Sequence, residues 1–383
     1  MDSSSSECKK KPERGALGRM TVTYRVRSAA ASIEARAEAI AIEQSVETPL
    51  AAISDETVLR DILGKVQGIR ELEAGLFEVR IGLAAETTGF EAGQLLNMMF
   101  GNSSMQEDVT LHDAEIPDTM AARFGGPNVG IAGLRAKCGA GARAFTCAAL
   151  KPQGLPAKAL ASLAARLAAG GLDFIKDDHG IADQAYSPFA DRVRACAEAV
   201  RRAGSGTLYV PNISGSFDIA RGQIALAIEE GVEAVMIPPM ILGVSNFHRL
   251  AREFPSMAFF GHPAMAGASR IAPPLLFGKL FRLFGADVVI YPNYGGRFSY
   301  SPETSRAVAD AARRDWHGLR RCLPCPAGGM TLERAPELLD FYGPDTMLLI
   351  GGSLLSERGR LTEATAQFVE RVARYFEDGK SDG

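Results

Sequence analysis

Read as a string of apolar and polar positions, the chain changes texture near residue 140. Before that point apolar and polar residues alternate over short stretches, the period of strands with one wet face. Thr21 to Val26, Gly64 to Glu71, Gly75 to Leu83 and Val109 to Ile116 read as strands, the middle two around a short turn. Ser32 to Ala39 has helical composition and Ala41 to Val46 fits either state. Phe90 to Phe100 predicts a helix with Leu95, Leu96, Met99 and Phe100 as its apolar set. A β-α-β-β-α-β sandwich of roughly 110 residues accommodates this order.

Beyond residue 140, short continuous apolar runs alternate with helical stretches, and each run ends in Gly, Pro or a polar residue. The runs are Phe145 to Leu150, Leu172 to Ile175, Thr207 to Val210, Ala234 to Ile237, Ala258 to Phe260, Val288 to Tyr291, Cys322 to Cys325 and Met347 to Ile350. The helical stretches are Ala157 to Ala169, Phe189 to Arg202, Phe217 to Glu230, Phe247 to Phe254, Pro274 to Phe284, Glu303 to Asp315 and Leu332 to Leu339, with Thr362 to Phe376 closing the chain. Strands buried on both faces read as unbroken apolar runs because neither side meets water. Eight such units predict a (β/α)8 barrel. A doubly wound open sheet is disfavoured, since no GxGxxG follows the first strand. The predicted fold class is α/β: a C-terminal (β/α)8 TIM barrel over 136–383, an N-terminal α+β ferredoxin-like domain over 21–135, and a disordered tail over 1–20.

Composition removes several classes of function. Over 383 residues the chain is 46% hydrophobic and 23% charged, with no apolar run of membrane-spanning length. The first twenty residues have no apolar segment of the signal-peptide type. A net charge of −3 over 42 basic and 45 acidic residues lacks the basic excess of a nucleic-acid binder. Neither membrane nor nucleic acid is therefore an expected partner. Six scattered cysteines argue against a disulfide framework and for a reduced, cytoplasmic compartment. Cys322 and Cys325 form a CxxC without a second pair, inside an apolar run, and read as buried structural thiols.

Barrel enzymes carry their chemistry at the C-terminal ends of the strands. Lys151 follows the first run, Lys176-Asp177-Asp178-His179 the second, Asn212 and Ser214 the third, and His262 the fifth. Asn293 to Arg297 follows the sixth, Gly328-Gly329 the seventh and Gly351-Gly352-Ser353 the eighth. Strand alternation sends Lys176 and Asp178 one way and Asp177 the other. Asp178 with His179 suits a divalent metal. Lys176 fits two roles: an acid/base or Schiff-base lysine of lowered pKa, or a lysine carbamylated by CO2, which becomes an oxygen ligand suited to Mg2+. A charged strand end held by ion pairs is the plainer reading of the same tetrad. Glycine pairs after the last two strands fit a phosphate cradle of backbone N–H groups, or simply tight turns. His112 and His317 have no such context.

Several strings resemble the RuBisCO large-subunit superfamily. Gly170 to Asp178 (GGLDFIKDD) resembles its GGLDFxKDDE metal motif. In the same order, Glu43-Gln44-Ser45 with Thr48, Gly101-Asn102, Phe124 to Ile131, Leu150-Lys151-Pro152, and the pairs Gly328-Gly329 and Gly351-Gly352 resemble further segments. The resemblance spans about residues 21 to 370. There are departures. His179 stands at the third metal carboxylate, Gln153 at a lysine, Pro263 at the arginine that holds a second phosphate, and Ala327 at a serine. The segment Pro292 to Phe298 lacks the lysine that holds CO2 in carboxylases. The resemblance is therefore to RuBisCO-like (form IV) proteins. LKPQGL, KDDHGIADQ and PNYGGRFSYS are most similar to the branch that isomerises 5-methylthioribulose 1-phosphate to 1-methylthioxylulose 5-phosphate in methionine salvage.

What this implies is an Mg2+-dependent intramolecular isomerase working through an enediolate, not a CO2-fixing enzyme. Lys151, Lys176 and His262 would be catalytic. Lys176 (as its CO2 carbamate), Asp178 and His179 would hold Mg2+. Glu43, Thr48, Asn102, Gly328, Gly329, Gly351 and Gly352 would bind the phosphorylated sugar. Pro263 and the loop carrying Tyr294 would leave an apolar space for the methylthio group. A homodimer, or a higher homo-oligomer of dimers, is implied, with Glu43, Thr48 and Asn102 of one subunit closing the barrel mouth of the other. The alternatives are a decarboxylase of a 3-oxo sugar-acid phosphate, a diketo-methylthiopentyl-1-phosphate enolase, and a non-catalytic binding protein.

Overall fold

The computed structural model describes residues 17–298 and 300–377. The expected tail lies outside these up to residue 16, and Arg19 and Met20 already belong to the first strand. The chain divides into two compact units, the second starting at Phe124.

In the first unit, β1 (Arg19–Arg27), α1 (Ile33–Glu43), β2 (Lys65–Glu73), β3 (Leu76–Ala84), α2 (Ala92–Phe100) and β4 (Val109–Glu115) follow the predicted order. The sheet is antiparallel in the order β2-β3-β1-β4, the ferredoxin-like arrangement. Along β1 every second residue, from Met20 to Val26, is buried, and this face carries the core with Ile40, Leu95 and Met99. The Tyr24 hydroxyl donates to the Met99 carbonyl at 2.6 Å, tying sheet to α2. The ambiguous stretch from Ala41 splits. Its first residues extend α1 to Glu43, and the buried Gln44 side chain then donates to the Asn97 and Met98 carbonyls of α2. The sequence pattern did not indicate α3 (Asp118–Phe124), which ends this region.

The second unit opens on α4 (Gly130–Cys138), also absent from the pattern. There follow β5 (Phe145–Leu150), α5 (Ala157–Ala169), β6 (Phe174–Asp177), α6 (Phe189–Ala203), β7 (Leu208–Val210), α7 (Phe217–Glu229), β8 (Ala234–Ile237) and α8 (Val244–Glu253). The series ends with β9 (Ala258–Gly261), α9 (Pro274–Phe281), β10 (Val288–Pro292), α10 (Pro302–Arg313), β11 (Leu323–Ala327), α11 (Ala335–Tyr342), β12 (Met347–Ile350) and α12 (Leu361–Glu377). All neighbouring strands of the eight are parallel, and a bridge between Asn212 and Met236 joins the outer two into a closed barrel. The helix α9 has wide π-type turns and is buried almost all round. It lies so close to α10 that a Cβ on Gly278 would fall 2.4 Å from the Ala311 Cβ.

Alternate residues of the strands form the barrel core: Phe145 and Cys147, Phe174, Val210, Met236, Ala258 and Phe260, Val288 and Ile290, Leu323 and Cys325, and Met347. Ile131 and Leu134 of α4 join this cluster. Cys322 and Cys325 are fully buried free thiols pushed well up by desolvation, which agrees with a structural role. Among the described residues no helix is long and apolar enough to cross a membrane.

The α4 segment is anchored by one buried carboxylate. Asp287 Oδ1 accepts from the Val129 and Gly130 N–H groups at 2.7 and 2.8 Å, and Oδ2 accepts from Phe259 N–H at 2.9 Å. Burial pushes this carboxyl up to about 6, against the three N–H bonds that favour its ionised form. An unfolded Asp titrates near ~3.9, so between these values the folded chain binds more protons than the unfolded one and stability falls as pH rises. The Asp287→Asn variant should be less stable throughout, by about 1–3 kcal/mol, because Phe259 N–H loses its acceptor. It should also lack that decline between about pH 4 and 6. Urea unfolding at several pH values checks both, and an unchanged decline in the variant would count against Asp287 as its source.

Candidate active site

Three strands deliver charged residues to the same rim because these residues keep the phase of the core. Phe145 and Cys147 face inward, and two steps of two further along the chain stands Lys151. Phe174 leads in the same way to Lys176 and Asp178, and Phe260 to His262. Asp177, out of phase, faces the helix layer. Its Oδ2 accepts from Arg192 Nε of α6 at 3.0 Å and its Oδ1 from the Tyr209 hydroxyl at 2.8 Å. Both side chains of the Asp177–Arg192 pair are fully buried.

Lys151 Nζ lies 2.9 Å from Asp178 Oδ2, and His179 Nδ1 lies 3.3 Å from Asp178 Oδ1. The imidazoles of His179 and His262 stack with centroids 4.3 Å apart and planes 14° apart. Lys176 is 2% exposed and donates to the Asp177 carbonyl at 2.8 Å. Burial holds its amine below the ordinary lysine range, against the attraction of Asp178 and other anionic neighbours. For Asp178, burial pushes the carboxyl up, but the Lys151 bond, the Gly180 N–H and the Lys176 charge outweigh it and leave the group below its ordinary value. The structure thus brings together Lys151, Lys176, Asp178, His179 and His262.

The donor set fits a cation in one particular form. Among the described residues no three His, Cys, Asp or Glu side chains are grouped to hold a metal. Asp178 and His179 offer two ligands, and Lys176 is the adjacent third. As an amine it adds a repelling charge or a weak donor. As a carbamate it adds an anionic oxygen, and a desolvated, neutral amine is the form that reacts with CO2.

The glycine loops adjoin each other. Gly328 and Gly329 both have left-handed backbones, φ +95° and +67°. A Cβ on Gly329 would fall 2.8 Å from the Gly295 carbonyl oxygen of the loop after β10. The Ser353 hydroxyl, next to Gly351-Gly352, donates to the Met330 carbonyl at 3.1 Å. Arg334 Nη1 donates to the Gly329 carbonyl at 2.9 Å and Nη2 pairs with Glu337 at 3.1 Å. This scaffold was not indicated by sequence, because no motif marks an arginine that grips a carbonyl. The Tyr294 hydroxyl donates to Glu337 at 2.7 Å and its ring packs on Phe341, so the ring is committed to α11. In the first unit, Asn102 Nδ2 donates to Glu43 at 2.9 Å and to Glu47 at 2.8 Å. Thr48 is the next residue in the chain, and Glu47 was not foreseen.

Comparison with known proteins identifies the family and the fold. Residues 130–366 match the family model for the ribulose bisphosphate carboxylase large chain, catalytic domain. The chain belongs to that family. A 5-methylthioribulose-1-phosphate isomerase of Rhodospirillum rubrum is 58% identical over 360 residues, 93% of this chain and 96% of that protein. A ribulose bisphosphate carboxylase-like protein 1 of Rhodopseudomonas palustris is 58% identical over 361 residues, 93% of this chain and 98% of that one. The crystal structure of a Rubisco-like protein from Rhodopseudomonas palustris superposes with a TM-score of 0.89 at 53% identity, covering 95% of this chain and 99% of that one. Within the family, the chain is similar to the RuBisCO-like proteins, one of them named as an isomerase.

His262 yields a direct test. Burial, with the Lys176 and His179 charges, pushes its imidazole down to about 2, and Nδ1 accepts from the Ala264 N–H at 3.2 Å. The ring is therefore a neutral Nε2–H tautomer at working pH. In ¹⁵N-histidine spectra it should keep that tautomer from about pH 8 to 5, whereas an ordinary imidazole titrates near ~6.5. A titration near the ordinary value would contradict the assignment.

Proposed function

We propose that this chain is an Mg2+-dependent isomerase that converts 5-methylthioribulose 1-phosphate to 1-methylthioxylulose 5-phosphate. The observation that carries the reading is the inward-facing set Lys151, Lys176, Asp178, His179 and His262, on the rim that also bears two adjoining glycine loops. The relative named for this reaction, 58% identical over nearly the whole length, supports it.

The chemistry follows from the two compounds. In the substrate the ketone neighbours the phosphate-bearing carbon. In the product it neighbours the methylthio-bearing carbon, two positions along. Each one-carbon shift takes a proton from a carbon beside the C=O, returns one to the former carbonyl carbon, and moves a hydroxyl proton to the former ketone oxygen. Lys176 as its CO2 carbamate, Asp178 and His179 would hold Mg2+, which when bound polarises the ketone and makes the neighbouring C–H acidic. Lys151, once its Nζ has given up the proton it shares with Asp178, or the Lys176 carbamate would take and return the carbon-bound proton. The neutral His262 presents Nε2–H as a hydrogen-bond donor to a sugar oxygen. Gly328, Gly329, Gly351 and Gly352 would hold one phosphate through backbone N–H groups. Pro263 at the place of a second-phosphate arginine, and the absence of a lysine between Pro292 and Phe298, fit a singly phosphorylated ligand and no CO2 fixation.

Proton NMR of the enzyme with Mg2+, bicarbonate and 5-methylthioribulose 1-phosphate in D2O should show exchange at the carbons flanking the ketone and growth of the product. Absence of exchange would refute the reading. Lys176→Ala should lower Mg2+-dependent turnover by about 10²–10⁴-fold in a folded protein, and unchanged turnover would remove the cation site from the mechanism.

The same reading places Glu43, Thr48 and Asn102 in the barrel mouth of a second subunit of a cytoplasmic homodimer. Co-expressed Lys176→Ala and Asn102→Ala chains should then form hybrid dimers with activity that neither variant has alone. Hybrids as inactive as their parents would argue for a site completed within one chain.

A further inference from the structure

The segment that carries Asp178 and His179 leaves β6 and turns back at Ile181. Its own bonds are short-range: Gly180 N–H donates to Asp178 Oδ1 at 3.1 Å, and Ile181 N–H to the Asp178 carbonyl at 3.0 Å. Such a turn sets its local shape, and Gln153 Nε2 donates to the Gly180 carbonyl at 2.5 Å from the β5 side, but neither fixes where the turn stands relative to β7.

Asn212 supplies that second constraint. It follows β7, is 1% exposed, and donates from Nδ2 to the His179 carbonyl at 3.1 Å and to the Ile181 carbonyl at 2.9 Å. A primary amide has two N–H hydrogens, and here both are engaged, so the orientation of the amide is fixed by its bonds. Asn212 is itself held, because its backbone N–H donates to Asp177 Oδ2 at 3.1 Å. That carboxylate is gripped in turn by Arg192 of α6 and Tyr209 of β7.

We infer that Asn212 is a positioning residue for the cation site, fixing the main chain of His179 and Ile181 so that the His179 imidazole and the Asp178 carboxylate converge. The inference rests on the cation reading proposed above. Asparagine suits the place for chemical reasons. Aspartate would set an anion against two carbonyl oxygens, serine falls short and has one donor, and alanine removes the donor from both carbonyls, leaving the buried Ile181 one without it. Outer contacts of this kind tune a cation site by restricting where its ligands stand.

The test separates positioning from general loosening. Gln223 of α7 is 7% exposed and accepts from Ser214 N–H at 2.9 Å, so it braces the same connection after β7 through Ser214 rather than through the 178–181 turn. Mn2+ is titrated by electron paramagnetic resonance in the presence of bicarbonate, with wild type, Asn212→Ala, Asn212→Ser and Gln223→Met, below each midpoint of thermal unfolding. Both Asn212 variants should bind Mn2+ about tenfold or more weakly, while Gln223→Met stays within about twofold of wild type despite a lower midpoint. Wild-type affinity in the Asn212 variants would overturn the inference. So would equal weakening in Gln223→Met, or failure of both Asn212 variants to fold. A wild-type protein that binds no Mn2+ is a different failure, that of the cation reading itself.

Discussion

In a strand with no wet side, each side chain must point either to the barrel axis or to the surrounding helices, and neighbours must take opposite choices. Everything at this rim depends on that constraint. The phase is set deep in the core by large residues such as Phe145, Phe174 and Phe260, whose burial cannot be reversed without exposing them. Counting outward by twos, the same phase delivers Lys151, Lys176, Asp178 and His262 inward. A slip of one residue in β6 would bring Asp177 to the axis and send Lys176 among the helices. The buried Arg192 then guards the register, since it offers a charge only to a carboxylate facing outward.

The inward set is electrically economical. Two lysines and two imidazoles stand around one carboxylate, so the rim would be strongly positive if every basic group were protonated. Desolvation works against that charge, which is why the Lys176 amine and both imidazoles are held below their ordinary ranges. Carbamate formation at Lys176 would replace a latent cation with an anion and reverse the sign of the local field. That is the physical sense in which a lysine would suit a place beside Asp178 and His179 if they hold the proposed cation.

Much of this was legible in the sequence because strands and amphipathic helices have periods that survive in a one-dimensional reading. The eight apolar runs each mark a barrel strand, three of them to the residue and the rest within two residues at their ends, and the six elements of the first unit appear in order. The rim residues were legible because they follow those runs directly. What was not legible depends on contacts remote in the chain. The helix α4 is only nine residues long and gains its burial by joining the barrel core. Tyr294 turns to α11 because Glu337 and Phe341 lie there, which no local pattern announces. Arg334 and Asn212 act on main-chain carbonyls, and such acceptors leave no trace in composition.

The carboxylate of Asp287 has a consequence for the order in which the chain is built. Its three N–H donors lie at Val129, Gly130 and Phe259, so one side chain ties residues 158, 157 and 28 positions away in sequence. Closing so long a loop sacrifices chain entropy before any contact rewards it. During synthesis, the segment before the first barrel strand must wait until β10 begins to emerge before its anchor exists. The early strands therefore spend that interval with the α4 end of the core open, and seating of α4 is a late step in forming the barrel.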